Sequence, residues 1–405
     1  NDCSLLRSKS PRVRREWKSI RMLKDSCLII AGEKSGEEHA MSFFPRLKAE
    51  NPDCDFFGVG GDDLIDQGVE CLYHLRDFSS WGFSEVIGKI PFYYKALKRI
   101  VSEVDRRGTK VAILIDFQDF NMRLAKKLKN TGVEVLYYVA PQAWAWKPWR
   151  ANALQRDVNT LFTILPFEKE WFSKRGVRHV QSAPHPLYFH YKDEVNSRHL
   201  EKKHSSFKSK VRVLILPGSR NFEVQNLLGE FIKAARSLNG PVELGIVVSP
   251  NVSAKLYRPY LKFCPRVFDH SKLPDALEWA DMAMAASGTV TLSCALFQVP
   301  TVVCYKTSHL NEFIFSNFLS YSGPISLANI VHEDSVFPEL LQNSVSQYNI
   351  AVHLQEWIDN EEKYNDLQLK LGKTLSLISG DQEGVVMQMH KVMLRAFGKG
   401  DSNEL

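Results

Sequence analysis

The chain has 405 residues, room for two domains with a core each, and its 44% hydrophobic and 24% charged residues are the balance of a soluble globular protein. No run approaches the ~18–20 uninterrupted apolar residues that cross a bilayer, and no apolar signal core follows the basic start. The formal charge of +6 sits at one end: residues 1–24 hold eight basic side chains against Asp2 and Glu16, and the neutral remainder excludes a general nucleic-acid binder.

Residues 1–24 read as a basic flexible segment. It is either a solvated arm or a contact for anionic lipid head groups, at roughly 1 kcal/mol per basic residue near such a surface. Because the chain starts at Asn1, it reads as processed or as part of a longer protein, with an upstream membrane domain as one way of tethering it. The seven cysteines (Cys3, Cys27, Cys54, Cys71, Cys264, Cys294 and Cys304) show no CxxC spacing. They read as reduced, buried thiols, which points to the cytoplasm.

From residue 26 short apolar runs alternate with amphipathic segments. The runs predict strands at Cys27–Ala31, Phe56–Val59, Val111–Ile115, Val133–Val139 and Thr160–Leu165. Helices are predicted at Glu37–Ala49, Phe92–Arg106 and Phe120–Leu128. Apolar strands separated by helices call for a parallel sheet covered on both faces, with ligands beyond the carboxyl ends of the strands.

Four segments of this half are candidates for function. After the first strand, Ala31-Gly32-Glu33-Lys34-Ser35-Gly36-Glu37 is glycine-rich but too acidic for a phosphate cradle. It reads as a plain turn or a sugar-binding loop, with Glu33, Ser35 and Gly36 as contacts. Trp81-Gly82-Phe83 and Ile90-Pro91-Phe92-Tyr93-Tyr94, edged by Lys89, Lys95, Lys98 and Arg99, suit a protein laid into a lipid interface, or a buried helix with a solvated face. Asp116 and Asp119 follow the strand Val111–Ile115. A carboxylate at this edge between Ile115 and Phe117 should be partly desolvated, its pKa raised towards use as a general base. Asp116 is the preferred base and Asp119 the preferred helix N-cap, with the reverse assignment left open. Finally, Trp144 and Trp146 beside Lys147 and Arg150 suit stacking on a sugar, or core packing.

The polar tract 191–210, centred on Lys202, Lys203, His204, Ser205 and Ser206, reads as a linker. The alternation then restarts with strands Val211–Leu216, Glu243–Val248, Met282–Ala286 and Thr301–Tyr305 and helices Phe222–Leu238 and Val290–Phe297. The last sixty residues read as helical. Leu216-Pro217-Gly218-Ser219-Arg220 runs from strand to helix. Gly218 allows close backbone approach, the helix start offers free N–H groups, and Ser219 and Arg220 add a hydroxyl and a cationic fork. Ser287-Gly288-Thr289 repeats this after its own strand, so the two turns predict a clamp for a diphosphate. Neither has a P-loop or dinucleotide fingerprint.

With these residues in view, the chain resembles the lipid-A-disaccharide synthases of bacteria. The resemblance runs in order through AGEKSG (Ala31–Gly36), FFGVGG (Phe56–Gly61), WGFSEVIGKIP (Trp81–Pro91), LIDFQDFN (Leu114–Asn121) and YYVAPQAWAWK (Tyr137–Lys147). It continues through LPFEKEWF (Leu165–Phe172), LPGSRNFEV (Leu216–Val224), ASGTVTL (Ala286–Leu292) and ISLANI with PELLQN (from Ile325 to Asn343).

The resemblance implies a glycosyltransferase B fold: two Rossmann-like domains facing a central cleft, with a helical C-terminal tail. The acceptor domain would be 25–190, the UDP-sugar domain 211–375, and the terminal helix and tail 376–405. It implies inverting transfer from UDP-2,3-diacylglucosamine to 2,3-diacylglucosamine 1-phosphate without metal or cofactor, at the cytoplasmic face of the inner membrane, with a homodimer left open. Asn329 joins the nucleotide contacts on the same ground. Four positions depart from the family pattern: Phe117-Gln118 for Ala-Pro, Ser293 for a glutamate expected to contact ribose, Pro184 for Gly, and Ala328 for Pro. A UDP-sugar 2-epimerase and a non-catalytic nucleotide-binding module are the competing readings.

Overall fold

A computed structural model describes residues 24–78, 83–198, 200, 209–307 and 323–399, without the side chains of 83–89 and of Trp146. Two parallel sheets organise it. The first contains β1 (Ser26–Ala31), β2 (Asp55–Gly60), β3 (Glu70–His74), β4 (Val111–Ile115), β5 (Glu134–Tyr138), β6 (Thr160–Thr163) and β7 (Val180–Ser182), in the spatial order β3-β2-β1-β4-β5-β6-β7. The second contains β8 (Val211–Leu216), β9 (Val242–Val248), β10 (Arg266–Asp269), β11 (Met282–Ala286), β12 (Thr301–Tyr305) and β13 (Glu339–Leu341), in the order β10-β9-β8-β11-β12-β13.

The central strands are buried from end to end, which is why their sequences read as unbroken apolar runs. Along β1 and β4 the side chains alternate between two cores. Leu28, Ile30, Ala112 and Leu114 enter one, while Cys27, Ile29, Ala31, Val111, Ile113 and Ile115 enter the other. Four strands have no counterpart in the sequence reading: β3, β7, β10 and β13. They are the outermost strands of the two sheets, short and partly exposed, so they carry no continuous apolar run.

The predicted helix Glu37–Ala49 is two helices, Lys34–Met41 and Phe44–Glu50, the second with Pro45 in its first turn. Helix Phe83–Arg107 starts earlier than predicted and contains Pro91.

The chain crosses between the two bodies twice. Helix Pro186–Ser197 runs into the tract read as a linker, and its Tyr191 packs edge-on against Phe297 of the second core, ring centroids 5.3 Å apart. On the way back, the His185 N–H donates to the Ile378 carbonyl at 3.0 Å and Gly380 lies against Pro184. The last helix, Gln382–Ala396, then packs on the first sheet, inserting Val385, Val386, Met389, Val392 and Met393 beside β1 and β4. The four fully described core thiols, Cys27, Cys264, Cys294 and Cys304, are buried and free; Cys54 and Cys71 are free and half-buried, and Cys3 lies outside the described residues.

Candidate active site at the carboxyl edges of the two sheets

In the first sheet the strand order reverses between β1 and β4, so the loops after these strands flank the crevice where ligands of such sheets bind. These loops are Gly32–Gly36 and Asp116–Gln118. Asp116 still belongs to the ladder, its N–H donating to the Tyr138 carbonyl at 2.9 Å. The backbone then turns left-handed at two consecutive residues, Asp116 (φ 46°) and Phe117 (φ 45°), before a helix begins at Gln118. Val139, one residue past β5, is also left-handed (φ 66°). Such a conformation costs a non-glycine residue roughly 1–2 kcal/mol, so three together mark a strained edge held by its surroundings.

The holding contacts are specific. The Asp116 carbonyl accepts from the Tyr137 hydroxyl at 2.8 Å and from Asn121 Nδ2 at 2.9 Å. The Phe117 ring lies so close to Gly32 that a β-carbon there would sit 2.6 Å from it. The same ring joins Phe78, Tyr93 and Phe120 at centroid distances of 5.6–6.1 Å. Arg150, 1% exposed, donates from Nη1 to Gln118 Oε1 at 2.6 Å and from Nη2 to Asp119 Oδ1. Phe117 and Gln118, which depart from the family pattern, therefore both have partners.

Burial pushes the Asp116 carboxyl up to about 6, with the neighbouring Glu33 carboxylate adding to the rise and the Phe117 N–H opposing it. Glu33 is solvent-exposed in the loop after β1, yet partial desolvation raises its carboxyl too. Ser35 is exposed in the first helical turn, and Gly36 is buried against Ala31 and the Ile115 carbonyl. Asp119 is not the N-cap. Phe117 holds that position, leaving Asp119 exposed in the first turn and paired with Arg150, with Lys147 at 4.0 Å.

Trp144 lies in the helix Ala143–Trp146. Its indole N–H donates to Glu168 Oε1 at 2.9 Å, and Phe167 packs edge-on at 5.2 Å. Glu168 is 1% exposed and also accepts from the N–H groups of Ile164 and Leu165; burial pushes its carboxyl up to about 7. Trp144, Phe167 and Trp171 form one wall of a cleft of about 720 Å³ whose other wall carries Pro324, Ile330 and Glu333. Loops from the carboxyl edges of both sheets thus meet across it. The side chain of Trp146 lies outside the described residues.

The aromatic segment read as a lipid-facing patch divides. Trp81, Gly82 and the Phe83 side chain lie outside the described residues, as do residues 1–23. Phe92 and Tyr93 face inward: both pack on Phe78, and the Tyr93 hydroxyl donates to the Phe78 carbonyl at 2.8 Å. Among the described side chains of this helix, Ile90 and Tyr94, each 58% exposed, are large apolar groups that face solvent. Helical periodicity separates the two faces.

In the second sheet the reversal lies between β8 and β11, and the two hydroxyl-bearing turns follow these two strands. Gly218, Ser219, Arg220, Ser287, Gly288 and Thr289 line one cleft of about 300 Å³, with Val247, Ser249, His270 and Leu273 at its other side. Gly218 is left-handed (φ 110°) and packs against Glu223. The N–H groups expected to be free are not: Glu223 Oε2 accepts from Ser219 N–H at 2.9 Å and Arg220 N–H at 3.2 Å. A carboxylate three residues into a helix reaches back to the cap by ordinary geometry, and here it occupies the position where an anion would sit. The Arg220 side chain is 78% exposed.

Asn329 does not join this cleft. It is 1% exposed, and its amide is spent on the Phe337 backbone and Glu339, each bond at 2.8 Å. Ser293 is 3% exposed, and its hydroxyl bonds Tyr191. Among the described residues no three His, Cys, Asp or Glu side chains gather as a metal site, and no helix is long and apolar enough to cross a membrane.

A model of the lipid-A-disaccharide synthetase family matches residues 27–392. The chain belongs to that family. It is 33% identical to the lipid-A-disaccharide synthase of Myxococcus xanthus (strain DK1622) over 349 residues, covering 84% of this chain and 90% of the relative. It is 30% identical to that of Nitrosococcus oceani over 378 residues, covering 92% and 97%. The chain is therefore a glycosyltransferase. Its fold is similar to the calicheamicin glycosyltransferase CalG4 (TM-score 0.55, 11% identity, 92% and 99% covered) and to MurG of Acinetobacter baumannii (0.54, 14%, 91% and 99%). It is equally similar to a solved UDP-N-acetylglucosamine 2-epimerase of Listeria monocytogenes (0.57, 11%, 94% and 99%). The expected glycosyltransferase B fold is what the two sheets and the C-terminal helices form.

Sequence reasoning passed over Tyr137, Asn121, Glu168 and Glu223, and it noted Arg150 only as a cation beside Trp144 and Trp146. Glu223 had a signal, since it stands at the spacing that caps a helix start. Tyr137 and Glu168 act through bonds to residues 21 and 24 positions away, and Asn121 through bonds back to Ile115 and Asp116 that form only because the elbow turns.

Proposed function

We propose that this glycosyltransferase joins UDP-2,3-diacylglucosamine to 2,3-diacylglucosamine 1-phosphate in a single inverting displacement, releasing UDP. The observation that carries the reading is Asp116: a carboxylate at the switch point of one sheet, raised to about 6 by burial, in a chain whose other sheet places two hydroxyl-bearing turns at its own switch point. Asp116 takes the proton as the acceptor hydroxyl attacks the anomeric carbon. A base titrating near neutral pH is ionised yet still a good proton acceptor.

Negative charge grows on the departing diphosphate, which Ser219, Arg220, Ser287 and Thr289 stabilise in place of a metal ion. Trp144 and the loop Glu33–Gly36 contact acyl-sugar. The enzyme works at a membrane surface, with residues 1–24, Ile90 and Tyr94 as contacts and the cytoplasmic face of the inner membrane as the expected site.

The test is a mass-spectrometric assay supplying the acylated UDP-sugar with and without the acylated sugar phosphate. Disaccharide phosphate and UDP formed only with both substrates supports the reading. Interconversion of the donor's sugar without the acceptor, the outcome an epimerase gives, would overturn it.

A further inference from the structure

Asp116 is placed by residues that touch its backbone and not its carboxylate. The left-handed pair Asp116–Phe117 makes a sharp elbow between β4 and the following helix. An elbow of this kind lifts one side chain off the end of a sheet; aspartate tolerates it better than most residues, but phenylalanine does not favour it. The Asp116 carbonyl has two donors, the Tyr137 hydroxyl at 2.8 Å from the neighbouring strand and Asn121 Nδ2 at 2.9 Å from the helix beyond. Asn121 also donates to the Ile115 carbonyl at 3.1 Å, so one amide bridges the last strand residue and the elbow. Both residues are fully buried, and Asn121 Oδ1 has no partner among the described residues. An amide left half-unsatisfied in a core is costly, so its donor bonds to the elbow have to compensate.

We propose, building on Asp116 as the base, that Tyr137 and Asn121 are positioning residues for catalysis: their two bonds to the Asp116 carbonyl hold the elbow left-handed, which aims the carboxylate at the acceptor and keeps it out of bulk water. Relaxed towards an ordinary conformation, the elbow carries the carboxylate out of its desolvated position and into solvent. Glu33 on the facing loop is the charged group that acts on the Asp116 carboxylate, while Asp116, Arg150 and Asp119 all act on the Tyr137 hydroxyl on β5, and Arg150 and Asp119 pair with each other. None of them is altered in charge at neutral pH by Tyr137→Phe or Asn121→Ala.

The experiment compares wild type, Tyr137→Phe, Asn121→Ala and the double variant by steady-state kinetics across pH 4.5–8.5, with thermal melts to correct for folded fraction. Positioning predicts kcat down about 10-fold in each single variant and about 100-fold in the double, with KM for both substrates within about 2-fold. It also predicts that the acid limb of kcat/KM moves to lower pH, because a wetter Asp116 ionises more readily. The substrate phosphates titrate alike in all four proteins, so the difference between limbs is the readout. A loss of activity that tracks lost folded protein with the limb unmoved would overturn the proposal, as would single variants at wild-type kcat. Asp116→Asn separates the two levels: if it stays active, the base assignment fails; if it is dead while the clamp variants are normal, only the clamp fails.

Discussion

The loops after β4 and β8 each flank the switch point of their own parallel sheet, yet they are built in opposite ways. The Asp116 elbow is strained, buried and over-determined, with two donors on one carbonyl and a ring pressed on Gly32. The Gly218–Arg220 turn is relaxed by a glycine and open, its arginine exposed and its N–H groups held by an exchangeable carboxylate. The difference fits the roles proposed for them. A base gains from a low-dielectric setting that raises its proton affinity, and that setting has to exist before substrate arrives. An anion site has to stay accessible, and a neighbouring carboxylate can satisfy its donors until the anion comes.

The largest effect expected from breaking this division is on turnover. Asp116→Asn keeps the shape and removes the proton acceptor, so initial rates should fall by about 10²–10⁴-fold. Asp119→Asn, at a carboxylate that is itself exposed, should retain most activity; the reverse ranking would exchange the two roles.

Arg220→Ala comes next. Losing a charged donor to the diphosphate should weaken UDP binding about 10–100-fold and slow turnover with it, since that charge is present in the ground state and grows in the transition state.

Asp116→Asn should also stabilise the fold in a pH-dependent way. The folded carboxyl titrates near 6, above the usual value for aspartate of 3.8. Keeping it ionised in the folded state therefore costs stability, from nothing below about pH 4 to the full amount above about pH 6. The asparagine variant escapes that cost, so it should gain about 1–3 kcal/mol at pH 8 and nothing at pH 4. Equal gains at both pH values in denaturant melts would refute the desolvation account.

Glu223→Gln sharpens the other side. Removing a negative charge beside the diphosphate should tighten UDP binding a few-fold while costing about 1 kcal/mol of stability through the weakened helix cap. Weaker UDP binding would mean that Glu223 shapes the turn and does not compete for it.

The smallest effect concerns the surface. Ile90→Ser with Tyr94→Ser should lower vesicle flotation at all salt concentrations with the melting temperature unchanged. Phe92→Ser with Tyr93→Ser should lower the melting temperature instead, because those rings pack on Phe78. Equal loss of flotation in both pairs without unfolding would contradict the inward placement.

What was legible in the sequence follows the same physics. The central strands showed because burial on both faces demands continuous apolar runs, whereas β3, β7, β10 and β13 sit at sheet edges where no such demand exists. Asp116 and the two turns showed because they directly follow central strands, where ligands of parallel sheets bind. Tyr137 and Glu168 did not, since their roles depend on which strand lies beside which, and Asn121 did not, since its bonds back to Ile115 and Asp116 need the left-handed elbow. The Asp119 cap was misread because local spacing knows nothing of Arg150, which sits 31 residues away in the chain. Phe92 and Tyr93 were misread as surface because aromatic composition carries no direction until the helix phase is known.

The most direct test of the division between the two edges is UDP calorimetry on Asp116→Asn and Arg220→Ala beside wild type. The account predicts a Kd for Asp116→Asn within about 2-fold of wild type and a Kd for Arg220→Ala raised at least 10-fold. Equal weakening in both variants would contradict it, because base and nucleotide would then share one inseparable site.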